Sequence, residues 1–169
     1  MKVTVIANIS ANGRLLVANN PHHQLPAGAM EFYVQFVKQV GNVVIGLKTF
    51  ENFLNFPKEI KELFSGVEIV ILSDSPYQTD GYKTVGSPEE AIEYMSSKGL
   101  NEIAVGGGLG AFNSFIDKDL VTDIYFNINP LITGVGGILA SNSALNSKFK
   151  HTEYELKDGF LQLHLTKEC

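Results

Sequence analysis

Short, nearly unbroken apolar runs recur along the chain, and they restrict its folds more than any other feature. Val3–Ile9, Val67–Leu72 and Val121–Ile128 are rich in β-branched residues and lack the alternation of a half-wet strand. Asn42–Ile45 and Glu102–Val105 are shorter runs of the same kind. Strands of this type are covered on both faces, which requires helices above and below a mostly parallel sheet. The intervening segments supply those helices. From Met30 the apolar residues Met30, Tyr33, Val34, Val37 and Val40 fall at helical spacing, with Gly41 as the stop. Thr49 is expected to cap a short helix through Leu54, and Glu59–Phe64 another. Ser87-Pro88-Glu89-Glu90 reads as an N-cap, a proline at the first position and a capping box, with the end at Lys98-Gly99. Gly106–Gly110 leads into a helix over Ala111–Ile116.

The tail changes period. Lys150–Lys157 and Phe160–Thr166 alternate around Asp158-Gly159, which predicts a type I′ hairpin. The expected fold class is therefore α/β: a doubly wound, mostly parallel sheet, three layers deep, with a C-terminal antiparallel hairpin. A length of 169 residues fits a single domain over 1–169.

Composition narrows the function. Apolar residues make up 44% and charged residues 18%, and no apolar run approaches the roughly 18 residues of a membrane helix. The net charge of −5, with no basic cluster, disfavours nucleic acid and anionic membranes as partners. The opening Met-Lys-Val-Thr-Val-Ile-Ala is unlike a signal peptide, so a cytoplasmic location is expected. Arg14 is the only arginine among the basic residues. An anionic ligand must then be held by lysine, hydroxyls, backbone amides or helix ends. No Cys/His pair has metal-ligand spacing: Pro21 to Gly28 is a loop bearing His22-His23, and His151 and His164 alternate in the terminal strands. No metal is expected.

In such sheets ligands bind beyond the carboxyl ends of the strands. Two strand-to-helix turns stand out there. Gly106-Gly107-Gly108-Leu109-Gly110-Ala111 can let a pyrophosphate approach its backbone and a helix N-terminus, although a tight packing turn explains it equally well. Gly46-Leu47-Lys48-Thr49 can do the same, or be an ordinary cap with a solvated lysine.

The order Val43-Val44-Ile45-Gly46-Leu47-Lys48-Thr49-Phe50, then Ile69-Val70-Ile71-Leu72-Ser73, then Ile103-Ala104-Val105-Gly106-Gly107-Gly108 resembles the dihydrofolate reductase fold. Leu120–Tyr125, Asn129-Pro130 and Gly134-Val135-Gly136-Gly137 make it similar to the reductase domain of bifunctional riboflavin-biosynthesis enzymes and its stand-alone relatives. The resemblance implies a reductase that transfers hydride from NADPH, with NADH possible, to a small heterocyclic or carbonyl substrate. It implies cofactor contacts from Ala7, Gly46, Leu47, Lys48, Thr49, Leu72, Ser73, Asp74, Gly106, Gly107, Gly108, Leu109 and Gly110. Substrate contacts fall to Asn8, Asn12, Met30 and Asn127, an acid to Glu31, and a homodimer is the expected assembly. Glu31 or Met30 aligns with the family's helical carboxylate. The arginine that holds a folate tail is absent before Val67, and the Asp-Gly of riboflavin-type reductases reads Asn12-Gly13. Two other readings follow from these departures: a dinucleotide-binding module without catalysis, and a divergent dihydrofolate reductase.

Overall fold

The computed structural model describes residues 1–17, 20, 23 and 25–169. Of the expected loop over Pro21 to Gly28, Pro21, His22 and Gln24 lie outside the described residues. In chain order the elements are β1 (Lys2–Ser10), α1 (Ala27–Val40), β2 (Asn42–Gly46), α2 (Leu47–Leu54), α3 (Lys58–Glu62), β3 (Glu68–Leu72), β4 (Lys83–Val85), α4 (Pro88–Ser97), β5 (Glu102–Gly107), α5 (Leu109–Ile116), β6 (Asp123–Asn129), β7 (Phe149–Lys157) and β8 (Phe160–Lys167). They build one eight-stranded sheet in the order β4-β3-β2-β5-β1-β6-β8-β7. The first six strands are parallel, and β8 runs antiparallel to both β6 and β7. This is the expected three-layer α/β architecture with its C-terminal hairpin.

Each face of the sheet has its own core. Val3, Val5, Ala7, Val105 and Ile124 pack with Ala91 and Met95 of α4 and Ala111, Phe112 and Phe115 of α5. Val43, Ile45, Ile69 and Ile71 pack on the other face with Val37 of α1 and Phe50 of α2. The central strands are therefore apolar at consecutive positions because successive side chains enter different cores.

Several local expectations are corrected. Helix α1 starts at Ala27 and buries Ala29, Val34 and Val37, which leaves Met30 42% exposed rather than inward. Helix α2 begins at Leu47, so its N-cap is Gly46 and Thr49 lies inside the first turn. Ser87 does cap α4, accepting from the Glu90 N–H at 3.2 Å, while the Glu90 carboxylate reaches back to the Gly86 N–H. At the hairpin tip only Gly159 has a positive φ, so the turn is not type I′, which needs it at both central residues. Strand β4 carries no sequence signal beyond three residues and is held by its pairing to β3.

Candidate functional site

The sheet splits at its carboxyl end. The β1–β5 ladder stops at Val5 and Val105, whereas β1 stays paired with β6 as far as Ser10 and Asn129. Arg14–Leu16 folds back along β1 in place of β5, with the Leu16 N–H donating to the Asn8 carbonyl at 2.8 Å. The neighbouring strands β2 and β5 end in the two glycine turns, and the chain leaves them in opposite directions, α2 to one face and α5 to the other. A split with helices departing on both sides is where doubly wound sheets take ligands.

The two turns face each other closely. A Cβ on Gly46 would stand 3.7 Å from the Gly108 nitrogen, and one on Gly108 would stand 3.2 Å from the Thr49 hydroxyl. Neither α2 nor α5 has a side-chain cap or an acidic residue in its first turn. Two uncapped N-termini thus point their free N–H groups and partial positive charge at one region. Gly107 has φ +129 and joins Gly108 through a cis peptide. Only glycine accepts that φ without strain. Lys48 is exposed at the mouth of the α2 turn, while Leu109 packs toward Gly137. Beneath the turns, Tyr33 from α1 lies with its hydroxyl against Gly106, and burial pushes that phenol well above its ordinary range. It stays neutral.

Leu72, Ser73 and Asp74 begin a second region. Ser73 and Asp74, with Ser75, Lys83 and Thr84, line an open cavity of about 980 Å³ between the ends of β3 and β4, whereas Leu72 is buried in the core. Asp74 is exposed, whereas the Ser73 hydroxyl donates to the Ser75 carbonyl at 2.9 Å and so serves the turn.

The substrate-side residues separate. Ala7 points into the α4–α5 core and offers only backbone to the split. Asn8, half-buried, and Asn127, fully buried, face each other across β1 and β6 and are hydrogen-bonded. Asn12 accepts from the Ser10 hydroxyl and exchanges hydrogen bonds with the Thr133 backbone, clamping the turn after β1 to the loop after β6. Glu31 and Met30 are exposed on α1. Glu31 lines a groove with Gln35, Lys157 and Asp158 at the hairpin tip, away from the glycine turns.

Sequence reasoning missed two participants. His23 is 2% exposed and accepts from the Val17 N–H at Nδ1, which puts the proton of the neutral ring on Nε2, a buried atom with no partner among the described residues. Gln162 of β8 donates to Asn127. No local pattern in the sequence points to the contact between His23 and the Val17 N–H. Gln162 could have been found from a polar residue at an inward position of an alternating strand.

No family model matches the chain, and no curated protein matches its sequence. Solved structures do match. A protein of Shewanella sp. PV-4 assigned to riboflavin biosynthesis superposes with a TM-score of 0.76 at 18% identity, covering 100% of both chains. A pyrimidine reductase-like protein of Corynebacterium diphtheriae gives 0.76 at 13% identity, over 99% of this chain and 92% of its own. A diaminohydroxyphosphoribosylaminopyrimidine deaminase/5-amino-6-(5-phosphoribosylamino)uracil reductase of Thermotoga maritima gives 0.74 at 12% identity, over 98% of this chain and 56% of its own. At these identities the likeness establishes the fold, and that fold is the dihydrofolate reductase-like one.

Proposed function

We propose that the protein is a nicotinamide-dependent reductase that delivers hydride to a small heterocyclic or carbonyl substrate. The observation that carries this reading is the pair of uncapped helix N-termini meeting across the Gly46 and Gly107-Gly108 turns. Amides of α2 and α5, with the Thr49 hydroxyl and Lys48, would hold a pyrophosphate there without any arginine. The cavity between β3 and β4 would take the adenosine end. NADPH, when bound, supplies the hydride. This chain's residues orient the two reactants along the split, and alignment accounts for much of the rate. The pyrimidine reductase-like protein and the aminouracil reductase that share the fold support a pyrimidine-type ring as substrate.

The test is Gly108→Ala. Its φ of −82° lies outside the left-handed region, and the added methyl points at the Thr49 hydroxyl, between the two turns. NADPH affinity, measured by calorimetric titration, should fall about tenfold or more, roughly 1.4 kcal/mol, while the melting temperature barely moves. Unchanged affinity would remove the pyrophosphate site. Turnover against a panel of oxo-heterocycles separates an enzyme from a binding module, which would hold NADPH and oxidise none of it. The exposed edge of the sheet supports a homodimer as the working form.

A further inference from the structure

Asn8, Asn127 and Gln162 stand in one row on the α1 face, in register across β1, β6 and β8. The Gln162 Nε2–H donates to Asn127 Oδ1 at 2.9 Å, and the Asn127 Nδ2–H donates to Asn8 Oδ1 at 3.2 Å. Asn127 is fully buried and Gln162 is 8% exposed. A buried amide turned the wrong way leaves unpaired groups costing about 1–3 kcal/mol, so each amide in such a row sets the orientation of the next. The last member is the half-buried Asn8, at the border of the split. Its oxygen is taken, and its Nδ2 has no partner among the described residues.

For stability alone the row is a poor choice, because aliphatic residues of the same shape at all three positions would be nearly neutral or better. What the amides add is a hydrogen-bond donor of fixed direction at Asn8. We propose that Gln162 is a positioning residue: through Asn127 it holds the Asn8 amide so that Nδ2–H donates to an oxo oxygen on the substrate. The inference rests on the split being the substrate site, and it narrows the substrate to molecules bearing a carbonyl-type acceptor.

The experiment uses the NADPH complex of the full chain with uracil as the oxo-bearing probe and pyrimidine as the ring without oxo groups. Uracil should bind wild type at least about tenfold more tightly than pyrimidine, the worth of one well-placed hydrogen bond. Gln162→Met keeps length and apolar burial. Asn8→Asp keeps the oxygen that Asn127 needs and deletes the donor. Each should cost about tenfold in uracil affinity and leave NADPH and pyrimidine binding unchanged. The double variant should be no weaker than Asn8→Asp, because Gln162 acts only through Asn8. Equal binding of the two probes, no uracil binding, full affinity in Asn8→Asp, or additive losses in the double variant would each overturn the proposal. Failure of wild type to bind NADPH would instead refute the reductase reading itself.

Discussion

At the residue scale, glycines at one turn have separable jobs. A Cβ on Gly106 would overlap the Tyr33 hydroxyl and lie 2.7 Å from Val43 Cγ2, inside a packed core. Gly106→Ala should therefore destabilise the fold by about 1–3 kcal/mol, the usual range for overpacking. Adding Tyr33→Phe, which deletes the hydroxyl, should recover part of that loss in a denaturant titration; no recovery would show that Val43 alone is the obstacle. Glycine-rich strings mark such turns in the sequence, but which glycine serves packing and which serves ligand depends on neighbours from α1 and β2. Asp117 makes a prediction of another kind. Its carboxylate accepts from the Ser141 hydroxyl and from the Ser141 and Asn142 N–H groups, and these hold its pKa below the ordinary value. A depressed carboxylate stabilises above its unfolded pKa and loses that contribution as pH falls through the folded one. Protection of the Ser141 and Asn142 amides against hydrogen exchange should thus drop below about pH 4. Asp117→Asn should show weaker protection that does not vary with pH.

At the element scale, the proposed cofactor site makes the segment from the end of β3 through β4 the place where NADPH and NADH would be told apart. Ser73 and Ser75 are hydrogen-bonded to each other in their own turn, which would leave Lys83 to meet a ribose phosphate and the exposed Asp74 to repel it. A like charge with little screening costs on the order of 1 kcal/mol. NADPH should bind with less than about tenfold preference over NADH, and Asp74→Ser should shift the ratio toward NADPH. Paired titrations check this; a preference of hundreds-fold in wild type would mean that Asp74 points away from the ribose. The strand and helix alternation was legible because two-sided strands leave unbroken apolar runs. Element starts were less so. Met30 shares the helical spacing of the buried Val34 and Val37, but it lies in the first turn of α1, which begins at Ala27, and is exposed there. Glu31 is one of two residues that align with the family's helical carboxylate, and on α1 it stands on the exposed side. Asn12 resembled a substrate residue, yet its amide bonds to Thr133, a partner more than a hundred residues away that no local pattern reveals. Conversely, the reason for Gly136 and Gly137 lies in distant residues, the Leu15 backbone and the Leu109 side chain that pack against them.

At the scale of the whole molecule, the sheet has two edges of different character. One is β4, three residues long and too short to template much pairing. The other is β7, nine residues long and exposed from Lys150 through Leu156. Tyr154 and Leu156 are 77% and 81% exposed and sit in register with Leu163 and Leu161 of β8, so they extend an apolar surface to the rim. Lysines and glutamates at the intervening positions discourage indiscriminate stacking, but a long edge of this kind is normally covered. A second copy related by a two-fold axis would cover it with the same surface and close the assembly, whereas a head-to-tail contact would leave an edge free to propagate. Homodimers of this kind should bury at least about 1,000 Å² in total. Light scattering at micromolar concentration should accordingly report the mass of two chains. Tyr154→Lys combined with Leu156→Lys should reduce it to one chain while leaving NADPH affinity intact, because both residues lie across the sheet from the glycine turns. A wild-type mass of one chain, or a double variant that stays dimeric, would move the interface away from β7.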